Sequence, residues 1–134
     1  MLWDMSIKNK ELTKIITEAF FKGNTEFILH HLAEDIQWNI VGMPVIFGKS
    51  DVIRTMELIN PALAGCPDLA VKNIIAEGDY VVVESSGNNY SFFVKKDTKE
   101  KQCSPAYCDV YRFKNGKIQE LTTYIVDTAS NGES

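Results

Sequence analysis

The sequence predicts a single α+β domain in which three N-terminal helices pack on one face of a strongly curved, mixed but mainly antiparallel sheet and enclose a pocket. Three observations carry this expectation. Helical periodicity is confined to the first half of the 134 residues, period-two patterns fill the second half, and the turn signals between those patterns are short. Parallel neighbours would need helical crossovers between the later strands, and the sequence holds none.

From Ile7 to Phe21, the residues Leu12, Ile15, Ile16, Ala19 and Phe20 recur at three- and four-residue spacing, so they share one helix face. Gly23 ends this helix. Asn24 or Thr25 can cap a second one, with Phe27, Ile28 and Leu32 inward and Ala33-Glu34-Asp35 closing it. Asp35 then reads as a turn or capping residue. Ile36, Trp38 and Ile40 alternate with Gln37 and Asn39, a strand with Trp38 and Ile40 on one face.

Gly42, Pro44 and Gly48 mark a loop. Ser50 is placed to cap a third helix carrying Val52, Ile53, Met56 and Ile59, which Pro61 is expected to stop. Four strands follow, at about Leu69 to Glu77, Tyr80 to Phe93, Cys103 to Phe113 and Lys117 to Val126. Their connections are Gly78-Asp79, a lysine-rich tip at Lys95, Lys96, Lys99 and Lys101, and Asn115-Gly116, the dipeptide of a primed hairpin turn. The whole chain, 1–134, reads as one domain with a core of about 7–127 and short flexible termini.

Composition agrees with a globular protein, at 45% hydrophobic and 24% charged residues. A chain of this length buries enough surface to fold without disulfides or a structural metal. The net charge of -4 argues against a nucleic-acid partner, which would need a basic stripe. No stretch is long and apolar enough for a membrane span, and the N-terminus lacks the pattern of a secretory signal. Cys66, Cys103 and Cys108 lack metal-ligand spacing and read as reduced thiols of a cytoplasmic protein. His30 and His31 are adjacent on a helix and form no compact metal site. Neither a cofactor nor a metal is expected, since phosphate loop, dinucleotide fingerprint and metal spacing are all absent.

Several segments resemble a known family. They are Gly23 through His30, His31, Asp35 and Trp38; Gly48; Ile75 through Gly78-Asp79 to Glu84; Tyr107-Cys108-Asp109-Val110-Tyr111-Arg112-Phe113; and Gly116-Lys117-Ile118. Together they resemble the nuclear-transport-factor-2-like superfamily, and within it the SnoaL-like group related to polyketide cyclases and ketosteroid isomerases. The resemblance runs from about Leu12 to Asp127. It implies a cone-shaped, cystatin-like fold and leaves function open, because isomerases, hydrolases, cyclases and binding domains share this scaffold.

Residue by residue, the resemblance implies that the steroid isomerases' general-base aspartate falls at Ile40 and their oxyanion tyrosine at Ile16. Their second donor, a protonated aspartate in an Asp-Val-x-Arg-Phe segment, falls at Asp109. The Arg-x-Asp pair of the epoxide hydrolases falls at Ser85-Ser86-Gly87, and their further aspartate at Thr123. Neither residue set is intact, so neither mechanism is expected.

With Asp109 facing a cavity, alternation sends Tyr107 and Tyr111 the same way and Cys108, Val110 and Arg112 outward. A carboxyl between phenols in an apolar site is desolvated, which raises its pKa and suits it to acid or base work. The candidate catalytic residues are therefore Asp109 and Tyr107. The candidate ligand-binding residues are Trp38, Phe20, Ile40, Val83, Tyr111, Leu121 and Thr123. Arg112 is expected to pair with Glu84 or Glu120 across strands.

Two functions follow from different classes. The first is an isomerase- or cyclase-like enzyme acting on a small hydrophobic carbonyl compound, with Asp109 as acid or base. The second is a ligand-binding or dimeric scaffold domain without turnover. A partly apolar outer sheet face predicts a homodimer through the sheet, and docking of another protein there is the least supported reading.

Overall fold

A computed structural model describes residues 2–64, 70–86 and 106–126. In chain order the elements are α1 (Leu2–Lys22), α2 (Thr25–Leu29), β1 (Leu32–Ile40), β2 (Ile46–Phe47), α3 (Lys49–Ala64), β3 (Ala70–Glu77), β4 (Tyr80–Ser86), β5 (Ala106–Lys114) and β6 (Lys117–Val126). The strands form one sheet in the order β2-β1-β6-β5-β4-β3. Only β1 and β6 run parallel; every other neighbouring pair is antiparallel. The fold is the mixed, mainly antiparallel α+β architecture read from the sequence.

Register shifts interrupt the ladders between Leu32 and Gln37, Val71 and Asn73, and Arg112 and Phe113. Such irregularities bend a strand and increase its twist, and here they curve the sheet around its inner face. Helix α1 packs on β3 and β4, α3 packs on β1 and β2, and α2 touches both helices. One end of the interior is filled solid by Leu32, Ile36, Phe113 and Ile118, all buried. Asn115 and Gly116, both at positive φ (55° and 79°), make the turn that closes this end, as a primed hairpin turn requires.

Several local expectations are corrected. Leu32 and Ala33-Glu34-Asp35 belong to β1, so α2 is a single turn and Asp35 is a strand residue. Pairing decides this, since Leu32 lies beside Ile118 and the Ile118 amide donates to the His31 carbonyl at 2.8 Å. The Asp35 carboxyl accepts from Gln119 at 3.0 Å across the strands. Asn24 supplies the cap of α2, accepting from the Phe27 amide. Ser50 lies inside α3; its first internal bond runs from the Val52 amide to the Gly48 carbonyl. The helix continues through Pro61 to Ala64. The carbonyl that loses its partner there belongs to Glu57, an exposed residue whose backbone water can satisfy.

In α1, Ile15 is 50% exposed, whereas Asn9, Thr13 and Thr17 are buried at four-residue spacing towards the sheet. Hydrophobicity alone pointed to Ile15; the helix direction set by Ile16, Ala19 and Phe20 overrode it. The two-residue β2 sits where the sequence gives only loop signals, held by Gln37 and Trp38 of β1. The lysine-rich tip, Phe93, Cys66, Cys103 and the C-terminal residues 127–134 lie outside the described residues, whereas α1 already begins at Leu2, ahead of the expected start at Ile7. Among the described residues no helix is long and apolar enough to cross a membrane.

Candidate functional site

Strand register lays the inner face of the sheet out in rows. Trp38, Leu121, Tyr111 and Val81 form one row across β1, β6, β5 and β4; Ile40, Thr123, Asp109 and Val83 form the next; Ile125, Tyr107 and Ser85 form the third. Directly paired residues project to the same side, so Asp109 shares its face with Tyr107 and Tyr111, while Cys108, Val110 and Arg112 point away. Arg112 binds Glu120 at 3.0 Å on the outer face, and Glu84 instead accepts from Asn73.

Above these rows the helices leave a cavity of about 50 Å³, within a hollow of about 560 Å³ that includes its open mouth. Its sheet wall is made of Trp38, Ile40, Leu121, Thr123, Ile125 and the β5 trio Tyr107, Asp109 and Tyr111. Its helix wall is made of Ile16 and Phe20 of α1, Ile28 of α2, and Met56 and Ile59 of α3. Ile125, 40% exposed, marks the mouth. All the candidate residues except Val83 therefore gather around one space. Val83 is fully buried in the core and does not line the cavity; it lies on β4, against which α1 packs.

The sequence reading did not single out Ile16, Ile28, Met56, Ile59 or Ile125 as lining residues. Ile28, Met56 and Ile59 were legible as inward helix positions, and Ile125 follows Leu121 and Thr123 at period two. What the sequence lacked was the distance of each helix from the sheet.

Polar groups in the cavity are few and confined to the sheet wall. The Trp38 indole Nε1–H donates to the Thr123 hydroxyl at 2.8 Å, and that hydroxyl donates to Oδ1 of Asp109 at 2.7 Å. Among the described residues nothing donates to Oδ2 of Asp109. Burial pushes the Asp109 carboxyl up to about 6, and the Thr123 hydrogen bond opposes that rise. The Tyr107 hydroxyl is buried without a hydrogen-bond partner among the described residues. Burial, reinforced by the neighbouring Asp109 charge, pushes its pKa up to about 12, so it is a neutral donor at all ordinary pH. Burial likewise raises the Tyr111 phenol, beside which Thr17 stands without reaching hydrogen-bond geometry. Among the described residues no Lys, Arg or His lines the cavity. No group of metal-ligating side chains occurs among the described residues.

A family model for the SnoaL-like domain matches residues 13–121, most of the chain and all three rows of the site except Thr123 and Ile125. The chain belongs to the SnoaL-like family. No curated protein matches it. Among solved structures, a nuclear-transport-factor-2-like protein of unknown function from Cytophaga hutchinsonii is similar at 27% identity and a TM-score of 0.68, the match covering 87% of this chain and 98% of that one. A provisionally assigned ketosteroid isomerase from Kribbella flavida shares 14% identity, with coverage of 91% and 80% and a TM-score of 0.68. An epoxide hydrolase of the LEH-like type from M. tuberculosis shares 13% identity, with coverage of 90% and 84% and a TM-score of 0.65. The last two likenesses establish the fold alone. This SnoaL-like chain carries Ile40 and Ile16 on its cavity wall, at the places the steroid-isomerase resemblance assigns to a base and an oxyanion donor.

Proposed function

We propose that this SnoaL-like protein takes up a small, neutral, largely apolar molecule through a carbonyl group, and that Asp109 exchanges a proton with it. The observation that carries the proposal is a half-buried carboxyl beside a buried phenol in a largely apolar cavity, where among the described residues one carboxyl oxygen and the phenol have no partner. The Trp38 and Thr123 donors are committed to each other and to Asp109. What remains among the described residues is two phenol donors, Tyr107 and its neighbour Tyr111, and one acceptor, Oδ2 of Asp109. A carbonyl oxygen satisfies a phenol donor, and an acidic hydrogen on the adjacent carbon meets the acceptor.

With a pKa of about 6, Asp109 is mainly ionised at neutral pH, placed for general-base work. Oδ2 takes a proton from the carbon next to the carbonyl. The C–H electron pair becomes the new C–C π bond, the carbonyl π pair moves to oxygen, and Tyr107 donates a hydrogen bond to that oxyanion. Return of the proton to another carbon of the delocalised system completes an isomerisation. Attack of the enolate carbon on a second carbonyl carbon, with the proton passing to the new alkoxide, completes a ring closure. Either step conserves atoms and electrons and asks for no cofactor.

Binding without turnover is the second reading, favoured by the apolar side chains of Ile40 and Ile16 at positions where the resemblance implies catalytic groups. The outer sheet face supports a homodimer as part of either reading. Ile75, Val82 and Val110 form an apolar row across β3, β4 and β5, with Ile75 63% exposed. A cytoplasmic location fits the free Cys108 on that face.

The test is an NMR titration with cyclohexanone, cyclohexylamine and cyclohexanecarboxylate, three probes of similar shape. The ketone is expected to shift the signals of Tyr107 and Trp38, and the carboxylate is expected to leave them unmoved, since no cation among the described residues faces the cavity. Equal binding of the carboxylate would contradict the proposal.

A further inference from the structure

We infer that Thr123 is a positioning residue: held by the Trp38 indole, its hydroxyl locks Oδ1 of Asp109 and leaves Oδ2 as the atom that exchanges a proton with a bound molecule. The inference rests on reading Asp109 as the proton-transfer group, and its own basis is the chain of hydrogen bonds crossing β1, β6 and β5. An indole N–H can only donate, so at 2.8 Å the Thr123 oxygen must accept from it. A threonine hydroxyl has a single proton, and the acceptor within reach at 2.7 Å is Oδ1 of Asp109. The direction of both bonds follows from chemistry.

This arrangement makes the two carboxyl oxygens unequal. A proton on Oδ1 would meet the Thr123 proton head-on and leave the hydroxyl donor without an acceptor. A proton on Oδ2 disturbs neither bond. The strand register supports the lock mechanically: Thr123 and Asp109 are direct partners in the β5–β6 ladder, and Thr123 is β-branched, with few side-chain rotamers. Trp38 is 4% exposed and has little room to turn its indole away.

Among the described residues Thr123 is the hydrogen-bond partner of this carboxyl. On its own strand Asp109 faces Tyr107 and Tyr111, both neutral at ordinary pH, with the Cys108 thiol on the opposite face next to Glu84. From the other elements come Ile16 and Phe20 of α1, Met56 and Ile59 of α3, Ile40 of β1 and Val83 of β4, none of which titrates. Carry-over of family roles did not reveal Thr123, whose place there belongs to an aspartate.

The experiment is a titration of the Asp109 carboxyl carbon by NMR in the full chain without ligand, for the parent and three variants. In Thr123→Val the ionised form loses its donor, and the midpoint moves upward. In Thr123→Ser it stays with the parent. In Trp38→Phe the hydroxyl is free to turn away, so the midpoint moves in the same direction as in Thr123→Val, and the change adds nothing once Thr123 is already Val. A Thr123→Val midpoint equal to that of the parent, or a Trp38→Phe shift that persists undiminished in the Thr123→Val background, would overturn the inference. If Thr123→Val does not fold, Trp38→Phe alone decides: an unmoved midpoint overturns the lock. These readouts need no turnover. A protein whose Asp109 responds as stated but which exchanges no substrate proton would sink the catalytic reading and leave the positioning role standing.

Discussion

Tyr107 and Asp109 stand two positions apart on the inner face of β5, and of the two only the carboxyl has a hydrogen-bond partner among the described residues, the Thr123 hydroxyl at 2.7 Å. An unpartnered buried hydroxyl costs free energy, so its retention here points to a partner that arrives with the ligand. Tyr107→Phe is therefore expected to hold or raise thermal stability by up to about 1 kcal/mol while weakening ketone binding. Calorimetric unfolding together with the cyclohexanone titration checks both halves. A clear loss of stability would assign the hydroxyl a structural role instead.

Asp109 makes the fold pH-dependent in a direction opposite to that of most carboxylates. Its folded pKa of about 6 lies above the ordinary 3.8, so between those values the folded chain binds more protons than the unfolded chain. Stability from this group is present below about pH 4 and is lost as the pH rises through 6, amounting to roughly 3 kcal/mol at most. Asp109→Asn should be less stable than the parent, or equal to it, at pH 4 and more stable at pH 7. Melting curves of the two proteins at both values test the crossover, and parallel pH dependence would contradict it.

Replacing Thr123 by Val leaves the Trp38 N–H buried and unpaired as well as freeing the carboxyl. The expected destabilisation is about 1 to 3 kcal/mol, with Thr123→Ser retaining most of the lost stability. Urea unfolding of both variants measures the difference.

Val83 shares the row of Asp109 but lies on β4, where α1 packs, in the core rather than the cavity. Val83→Ala should cost about 2 kcal/mol through the lost apolar burial and the space left behind, with ketone affinity unchanged. Affinity lost in proportion to that in Tyr107→Phe would place Val83 in the site after all.

The architecture was legible because its strongest signals are local. Asn115-Gly116 specified a turn, the alternation around Trp38 and Ile40 specified a buried face, and Tyr107, Asp109 and Tyr111 followed from period two once one of them faced inward. The errors fell where a tertiary partner decides. Leu32 joined a strand because Ile118 was there to pair with it, and the carbonyl that Pro61 leaves unpaired in α3 belongs to an exposed residue, Glu57. Val83 does not line the cavity although it faces inward, because alternation reports the face of a sheet and not which helix covers that part of it. The Trp38–Thr123–Asp109 chain was not legible at all. It spans 85 residues and depends on the parallel pairing of β1 with β6, for which the sequence carries no local mark.

Exchange of deuterium from heavy water into the carbons next to the carbonyl of cyclohexanone, followed by proton NMR across pH, tests the proton-transfer role of Asp109 most directly. The account predicts exchange above the buffer rate, rising through a midpoint of about 6 as the carboxyl ionises, abolished in Asp109→Asn and reduced in Tyr107→Phe. Binding of the ketone with no exchange above buffer at any pH would contradict catalysis by Asp109 and identify the cavity as a site that holds its ligand unchanged.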